Sequence, residues 1–310
     1  MIDNIKLAAS FAHNDKSNVL SNILISDGVV TAQNDMTGIS LDTDISENFC
    51  CNAIQLVKSL SNCDPLKIEI TLKNNKVFIK SGRFKSNIET IDINSYPKTE
   101  YKGNAINVQH DILNCMNGIS QFTDPNDVRL SLRGVELSRD SVNATNGHVA
   151  VKKLIEPISG FKSIIIPSKS INMMAKVNAH IDSVTHSGSI VFFNFNDGCL
   201  FSKVIDQKMP DINKILSDIN VKTELSLIAD AVKSINSMCD VDKTILIGKE
   251  IKTRSGNAEI DGFDINECAF NSDYLLKIIE IADDIDLSVY PKACPFEGDG
   301  IRGAVIGVII

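Results

Sequence analysis

The chain has 310 residues, of which 43% are hydrophobic, and a formal net charge of −8 at pH 7. This length suits two or three domains, and because tryptophan is absent we expect aliphatic cores of Ile, Val and Leu. The acidic balance argues against a nucleic-acid binder with a uniformly basic surface, although a protein that segregates its charges still fits. The eight cysteines form no Cys-x-x-Cys pair, which predicts buried free thiols and neither a metal site nor a cofactor site.

The predicted helices and strands recur in the same order three times along the chain. Helical spacing of apolar residues occurs at 3–11, 51–60, 109–122, 168–177, 224–238 and 272–282. Strand-like runs lie at 28–32, 68–79, 128–142, 183–195, 243–253 and 286–310. The sequence therefore predicts an α+β fold of three similar domains, 1–103, 104–220 and 221–310, each with two helices packed on antiparallel strands.

The junctions between these units also resemble each other. Residues 90–98 (TIDINSYPK) and 204–211 (VIDQKMPD) both read strand end, Ile-Asp, a large apolar residue, Pro and a charged residue. Neither junction is long or of low complexity. We therefore expect units that are joined tightly.

A third feature is the stretch 144–150, ATNGHVA, between the strand-like runs 135–142 and 149–155. An Asn-Gly pair in this position predicts a β-hairpin. His148 follows the turn directly, but the chain contains no G-x-S-x-G, H-E-x-x-H or glycine-rich phosphate loop to accompany it. The sequence therefore does not predict an enzyme.

Taken together, these features resemble the bacterial DNA polymerase III β subunit, the β sliding clamp, along the whole chain. The similar stretches are, in chain order, 81–83 (SGR), 126–129 (NDVR), 132–135 (LRGV), 144–150, 201–216 and the apolar tail 304–310. The resemblance implies that two three-domain subunits close head to tail into a homodimeric ring around duplex DNA. It also implies a non-catalytic processivity factor, without cofactor, that tethers DNA polymerase and clamp loader through short peptide motifs.

The resemblance implies a partner-peptide groove between the second and third domains. Matched residue by residue, its lining is Leu132, Thr145, Gly147, His148, Pro210, Ile215, Val305 and Ile306. This chain departs from the family pattern in several places. Asn146 replaces an Asp, Val149 replaces an Arg, and Lys214 stands where an Arg is more usual. We therefore expect a more aliphatic and less cationic groove.

Two further surfaces follow from the same resemblance. The candidate DNA-facing residues are Lys6, Lys58, Arg129, Lys176, Lys233 and Lys277. The candidate dimer interface joins a basic strand edge of the first domain to an acidic edge of the third domain. Its candidate residues are Lys76, Arg83, Lys85, Glu259, Asp261 and Asp264.

An alternative of another class is a clamp-fold structural or adaptor protein that does not encircle DNA. An enzyme is a third hypothesis, which turnover lost on His148→Ala would revive. The first twelve residues lack a signal-peptide core, and no apolar run approaches the roughly 20 residues of a membrane span. We therefore expect a cytoplasmic protein, in a bacterial cell or a phage-infected host. The abundance of Asn, Ile, Lys and Ser favours an AT-rich or mobile genome.

Overall fold

The computed structural model describes residues 2–99, 103–108, 111–260 and 265–309. These residues contain six α-helices and 23 β-strands. The helices are α1 (Ile2–Ala9), α2 (Ala53–Leu60), α3 (Ile112–Ser120), α4 (Ser168–Met174), α5 (Leu225–Asn236) and α6 (Ser272–Ile279). Among the described residues, no helix is long and apolar enough to cross a membrane.

The strands pair antiparallel throughout. In chain order they are β1 (Asn22–Ser26), β2 (Val29–Gln33), β3 (Thr37–Asp42), β4 (Phe49–Asn52), β5 (Ile68–Lys73), β6 (Lys76–Ser81), β7 (Phe84–Ile91), β8 (Ile106–Asn107), β9 (Gly134–Leu137), β10 (Ser141–Thr145), β11 (Val149–Leu154), β12 (Ile164–Pro167), β13 (Ser183–Ser187), β14 (Ile190–Phe195), β15 (Gly198–Lys203), β16 (Thr223–Glu224), β17 (Thr244–Ile247), β18 (Glu250–Thr253), β19 (Gly256–Glu259), β20 (Cys268–Asn271), β21 (Asp284–Ile285), β22 (Cys294–Gly298) and β23 (Ile301–Val305).

The strands form three sheets. The first has eleven strands in the order β5-β6-β7-β4-β1-β2-β3-β15-β14-β13-β8. The second has eight, in the order β12-β9-β10-β11-β23-β22-β21-β16, and the third has four, in the order β19-β18-β17-β20. Strands β5 and β19 therefore end their sheets, and each presents an outer edge.

The chain forms two compact units. One comprises Met1–Asp111 and Asn172–Val204 and holds the eleven-stranded sheet. The other comprises Ile112–Ile171 and Ile205–Ile310 and holds the remaining two sheets. The strands of segment 104–220 divide between the units, since β8 and β13–β15 join the first sheet while β9–β12 join the second. The domain boundaries drawn from the sequence stay a prediction.

All six predicted helices are confirmed, with ends that differ by a few residues. The reason is visible in α2, where Leu56 and Leu60 are buried and the side chain of Asn52 accepts a hydrogen bond from the Gln55 amide at the first turn. In α5 the buried face is Leu225, Ile228, Val232 and Ile235, again at helical spacing.

The strand-like run predicted at 128–142 is wrong in its first part. A 3₁₀ turn, Leu130–Arg133, precedes β9, and β10 begins only at Ser141. The apolar residues that suggested a strand there have two different environments, because Leu132 is buried while Val128 and Leu130 are exposed. Alternating apolar residues do not distinguish a strand from a tight turn of this kind.

A buried carboxylate fixes the segment that leads into the last part of the chain. Asp286 is fully buried and accepts hydrogen bonds from the amides of Asn220 (2.9 Å) and Val221 (3.1 Å). It also accepts from the amide (3.0 Å) and hydroxyl (2.6 Å) of Ser288. Burial alone would raise the pKa of Asp286, but these four hydrogen bonds hold it below its ordinary value. These bonds join residues 220 and 221 to the segment that directly follows β21.

Candidate partner-binding groove and nucleic-acid interface

The predicted hairpin is confirmed, with β10 and β11 joined by the three residues 146–148. The hydroxyl of Thr145 donates to the Val149 carbonyl (2.8 Å) and accepts from the Gly147 amide (3.0 Å). The side-chain oxygen of Asn146 accepts from the amides of His148 (2.9 Å) and Val149 (2.8 Å). Side-chain hydrogen bonds of this kind stabilise the turn locally.

The hairpin is held against the C-terminal strand of the sheet. Strand β11 pairs with β23 in a register that places Val149 opposite Val305, and the Ile306 amide donates to the His148 carbonyl (2.9 Å). Val305 is fully buried, whereas Ile306 is 46% exposed. The two predicted groove residues at the end of this strand therefore differ in exposure, because Val305 lies beneath the surface and Ile306 is part of it.

His148 contacts an aromatic residue that the sequence reasoning missed. Its ring stacks on that of Tyr274 with centroids 5.8 Å apart and an interplanar angle of 23°. Tyr274 lies in the first turn of α6, where the side chain of Asn271 accepts hydrogen bonds from the amides of Asp273 and Tyr274. Helical spacing alone gave no sign that this half-buried ring would meet the hairpin.

The phenol of Tyr274 is perturbed by its surroundings. Burial raises the pKa of Tyr274, and the carboxylates of Asp124 and Asp273 raise it further. The hydroxyl is therefore neutral at physiological pH and is available as a hydrogen-bond donor at this aromatic pair.

Arg129, predicted to face DNA, lies beside the hairpin tip. Its guanidinium nitrogens stand 3.0 and 3.6 Å from the position that a Cβ on Gly147 would take. The same guanidinium donates to both carboxylate oxygens of Asp127, at 3.0 and 2.8 Å. The hydrogen bonds from Arg129 lower the pKa of Asp127 to about 2. Arg129 thus borders the groove residues, and Gly147 leaves room for it while adopting a positive φ of 88°.

The bridge after β15 supplies two more candidate residues. Met209 and Ile212 are buried and anchor the bridge, while Pro210 is exposed and Ile215 is 46% exposed. The 3₁₀ turn Ile212–Lys214 lies against β11, where Lys152 Nζ donates to the side-chain oxygen of Asn213 (3.2 Å).

The eight predicted groove residues therefore fall into two sets. Three are buried, namely Leu132, Thr145 and Val305. Five are exposed, namely Gly147, His148, Pro210, Ile215 and Ile306.

Most of the candidate DNA-facing lysines lie on exposed helical positions. Lys6, Lys58 and Lys233 project from α1, α2 and α5, and Lys176 lies in the 3₁₀ turn that continues α4. Lys277 on α6 is different because it is half-buried and donates to the Gln121 carbonyl just beyond the end of α3 (3.0 Å). A cation in that position neutralises the negative end of the α3 dipole, so Lys277 has a structural partner.

The candidate interface residues lie near sheet edges. Lys76 is on β6, where it pairs with Glu89 (3.4 Å), Arg83 is in the turn that follows, and Lys85 is on β7. The edge strand of this sheet is β5, so Lys76 lies one strand in from the edge and Lys85 lies two strands in. Glu259 ends the edge strand β19. Asp261 and Asp264 lie outside the described residues.

The cysteines form no disulfide among the described residues. All eight are free thiols, and four of them are buried, Cys50, Cys51, Cys268 and Cys294. Burial raises the pKa of Cys50 and Cys268 to about 12, which removes the reactive thiolate at physiological pH. Within the described ranges no three His, Cys, Asp or Glu side chains are grouped so as to hold a metal ion.

Comparison with known proteins identifies the architecture. No protein-family model and no curated sequence matches the chain. Solved structures do match it: the Helicobacter pylori β clamp bound to a DNA ligase peptide (16% identity), the Pseudomonas aeruginosa sliding clamp with ligand (19%) and the polymerase β subunit of Streptococcus pyogenes (16%). Each match covers 100% of this chain and 97% of the other, with a TM-score of 0.84. The chain therefore has the fold of the bacterial DNA polymerase III β sliding clamps.

Proposed function

We propose that the protein is a DNA sliding clamp, a non-catalytic processivity factor that encircles duplex DNA and tethers polymerase and other partners. The observation that carries this proposal is the agreement of the whole chain with the clamp fold, at a TM-score of 0.84 over 100% of its length. Fold alone does not specify function. The charge distribution, the sheet edges and the hairpin surface each add independent support.

The helices carry a charge opposite in sign to that of the whole chain. The six α-helices and the 3₁₀ turn Ala175–Val177 contain six lysines and three aspartates, a net charge of +3 in a chain of net charge −8. Such segregation suits a protein whose helices face the phosphate backbone. A closed ring needs only weak, sequence-independent attraction to phosphates, because topology prevents dissociation and weak contacts permit sliding.

Ring closure would use the two sheet edges. An edge strand exposes unpaired backbone groups, and a second copy can pair with them. Behind the edge strand β5, the next two strands and the turn between them carry the basic residues Lys76, Arg83 and Lys85, while the outer edge of β19 carries Glu259. Two copies joined head to tail through complementary edges form a closed dimer.

Partner binding is proposed for the surface around the hairpin. His148, Tyr274, Ile215 and Ile306 offer one aromatic pair and two exposed aliphatic side chains, which suits a short peptide with apolar anchors. The H. pylori clamp of the same fold was solved with a DNA ligase peptide. We infer that DNA polymerase and clamp loader bind this protein through comparable short motifs.

Light scattering on charge variants tests the proposed assembly. The wild-type protein is expected to have twice the 33.9 kDa mass of the chain. The variant Lys76→Glu/Lys85→Glu is expected to shift towards monomer, because like charges then face each other. Adding Glu259→Lys restores the opposite charges and is expected to restore the dimer. A wild type that stays monomeric at every concentration, or a double variant that dimerises fully, would contradict the proposed interface.

A further inference from the structure

The tip of the hairpin contains a chemically reactive dipeptide whose two reacting groups are held by hydrogen bonds. Asn146 is followed by Gly147, and no Cβ on the glycine shields its backbone nitrogen from the asparagine side chain. Gly147 is exposed and Asn146 is half-buried, so water reaches the turn. Asparagine is one of the chemically labile residues of proteins.

The chemistry of such a pair is deamidation. The Gly147 backbone nitrogen attacks Cγ of Asn146, a new N–C bond forms, the Cγ–Nδ2 bond breaks, and ammonia leaves. Water then opens the five-membered ring at one of its two carbonyl carbons, which yields aspartate or isoaspartate. The reaction needs no oxidant and no enzyme, only solvent water and freedom of the two groups to meet.

In the folded protein, hydrogen bonds fix both reacting groups. The Gly147 amide donates to Thr145 Oγ1 (3.0 Å), which fixes the plane of the attacking nitrogen. The Asn146 side-chain oxygen is held by two amides further along the chain, those of His148 and Val149, at 2.9 and 2.8 Å. Thr145 is itself 5% exposed and tied to the Val149 carbonyl (2.8 Å), so its hydroxyl has a defined position.

We propose that Asn146 is a latent deamidation site and that the buried hydroxyl of Thr145 keeps it unreacted. This proposal concerns the chemistry of the turn and stands whether or not the surface binds peptides.

The two products of deamidation would affect the hairpin differently. Aspartate retains the oxygen that accepts from His148 and Val149 and adds one negative charge near Arg129. Isoaspartate adds a methylene to the backbone and shifts the Thr145–Ala150 pairing of β10 with β11.

Mass spectrometry of peptides after incubation at neutral pH tests the proposal. Thr145→Val removes both hydrogen bonds of the hydroxyl, and deamidation at Asn146 is expected to accelerate about tenfold, since the loss of one hydrogen bond changes a population by about that factor. Thr145→Ser keeps the hydroxyl and is the matched control, with an expected rate equal to that of the wild type.

The chain also provides an internal reference, the Asn117–Gly118 pair within α3. Its rate is expected to be the same in all three native proteins, so an increase there would report loss of the fold. In denatured wild-type protein both pairs are expected to react at similar, higher rates. Hydrogen exchange gives a second readout. We expect the Gly147 amide to exchange slowly with solvent in the native wild type and rapidly in Thr145→Val.

Three outcomes would overturn the proposal. One is a native wild type that deamidates at Asn146 as fast as the denatured chain, a comparison that requires no variant to fold. Another is a folded Thr145→Val protein with an unchanged rate. The third is a Thr145→Ser protein that reacts as fast as Thr145→Val.

Discussion

The proposed peptide-binding surface at the hairpin and the proposed DNA-facing lysines differ in how their side chains are held. At the hairpin, four side-chain hydrogen bonds fix residues 145–149, and a backbone hydrogen bond joins His148 to Ile306. On the helices, Lys6, Lys58 and Lys176 project into solvent from separate elements. A fixed surface suits recognition of a particular peptide, whereas separate solvent-exposed cations suit a ligand that must move along the protein.

Charge reversal on the helices is expected to have the largest effect. The quadruple variant Lys6→Glu, Lys58→Glu, Lys176→Glu and Lys233→Glu is expected to lose about a hundredfold in affinity for linear duplex DNA at low salt, since each phosphate contact releases counterions. Fluorescence anisotropy measures the loss. The control reverses four exposed lysines outside the α-helices, Lys67, Lys162, Lys208 and Lys292, and is expected to have a smaller effect. Equal losses would mean that net charge alone governs binding.

Substitution of Gly147 at the hairpin tip is expected to have the next largest effect, on the free energy of unfolding. Gly147→Ala combines a positive φ of 88° with a Cβ 3.0 Å from the Arg129 guanidinium. It is expected to lower the free energy of unfolding by about 2 kcal/mol. Gly300→Ala, with φ of 65° and no atom within 4 Å of the new Cβ, isolates the backbone strain and is expected to cost about 1 kcal/mol. Urea unfolding compares them, and identical losses would exclude a role for the Arg129 contact.

Loss of the aromatic pair is expected to weaken peptide binding by about tenfold. Tyr274→Ala removes a stacked ring whose interaction is worth about 1 kcal/mol beyond its buried area. Tyr274→Phe keeps the ring and is the control. Calorimetry with the tightest binder from a library of hexapeptides carrying Leu and Phe anchors gives the affinities. Unchanged binding in Tyr274→Ala would place the peptide elsewhere.

Loss of the Arg129–Asp127 ion pair beside the hairpin is expected to have the smallest effect, a change in the pKa of Asp127. In the folded protein the pKa of Asp127 is about 2, below its ordinary value, so the contribution of the pair to stability is present above pH 4 and is lost as pH falls through 2. In Arg129→Gln the pKa of Asp127 is expected to rise towards the ordinary aspartate value. Carbon-detected NMR follows the carboxylate, and a titration midpoint that does not move would show that Arg129 is not its main partner.

The sequence predicted local features well because local interactions determine them. The six helices follow from apolar spacing, and the hairpin follows from Asn146 and Gly147. The division of residues 104–220 between two sheets could not be predicted in this way, because strand partners distant in sequence are set by packing.

The candidate site was predictable to a similar extent. His148 and Ile306 were found through resemblance, and the hydrogen bond between their backbones confirms that they are neighbours. Tyr274 and the position of Arg129 depend on how α6 and the 3₁₀ turn Leu130–Arg133 pack against the hairpin. Neither contact leaves a periodic or compositional signal in the chain.

The proposed function requires that the protein holds DNA by topology. Its most direct test is retention on nicked circular DNA after assembly by a clamp loader, measured by gel filtration before and after a restriction enzyme linearises the circle. We expect the protein to stay with the circle at moderate salt and to be released once free ends exist. Equal retention on circular and linear DNA, or no retention on either, would contradict it.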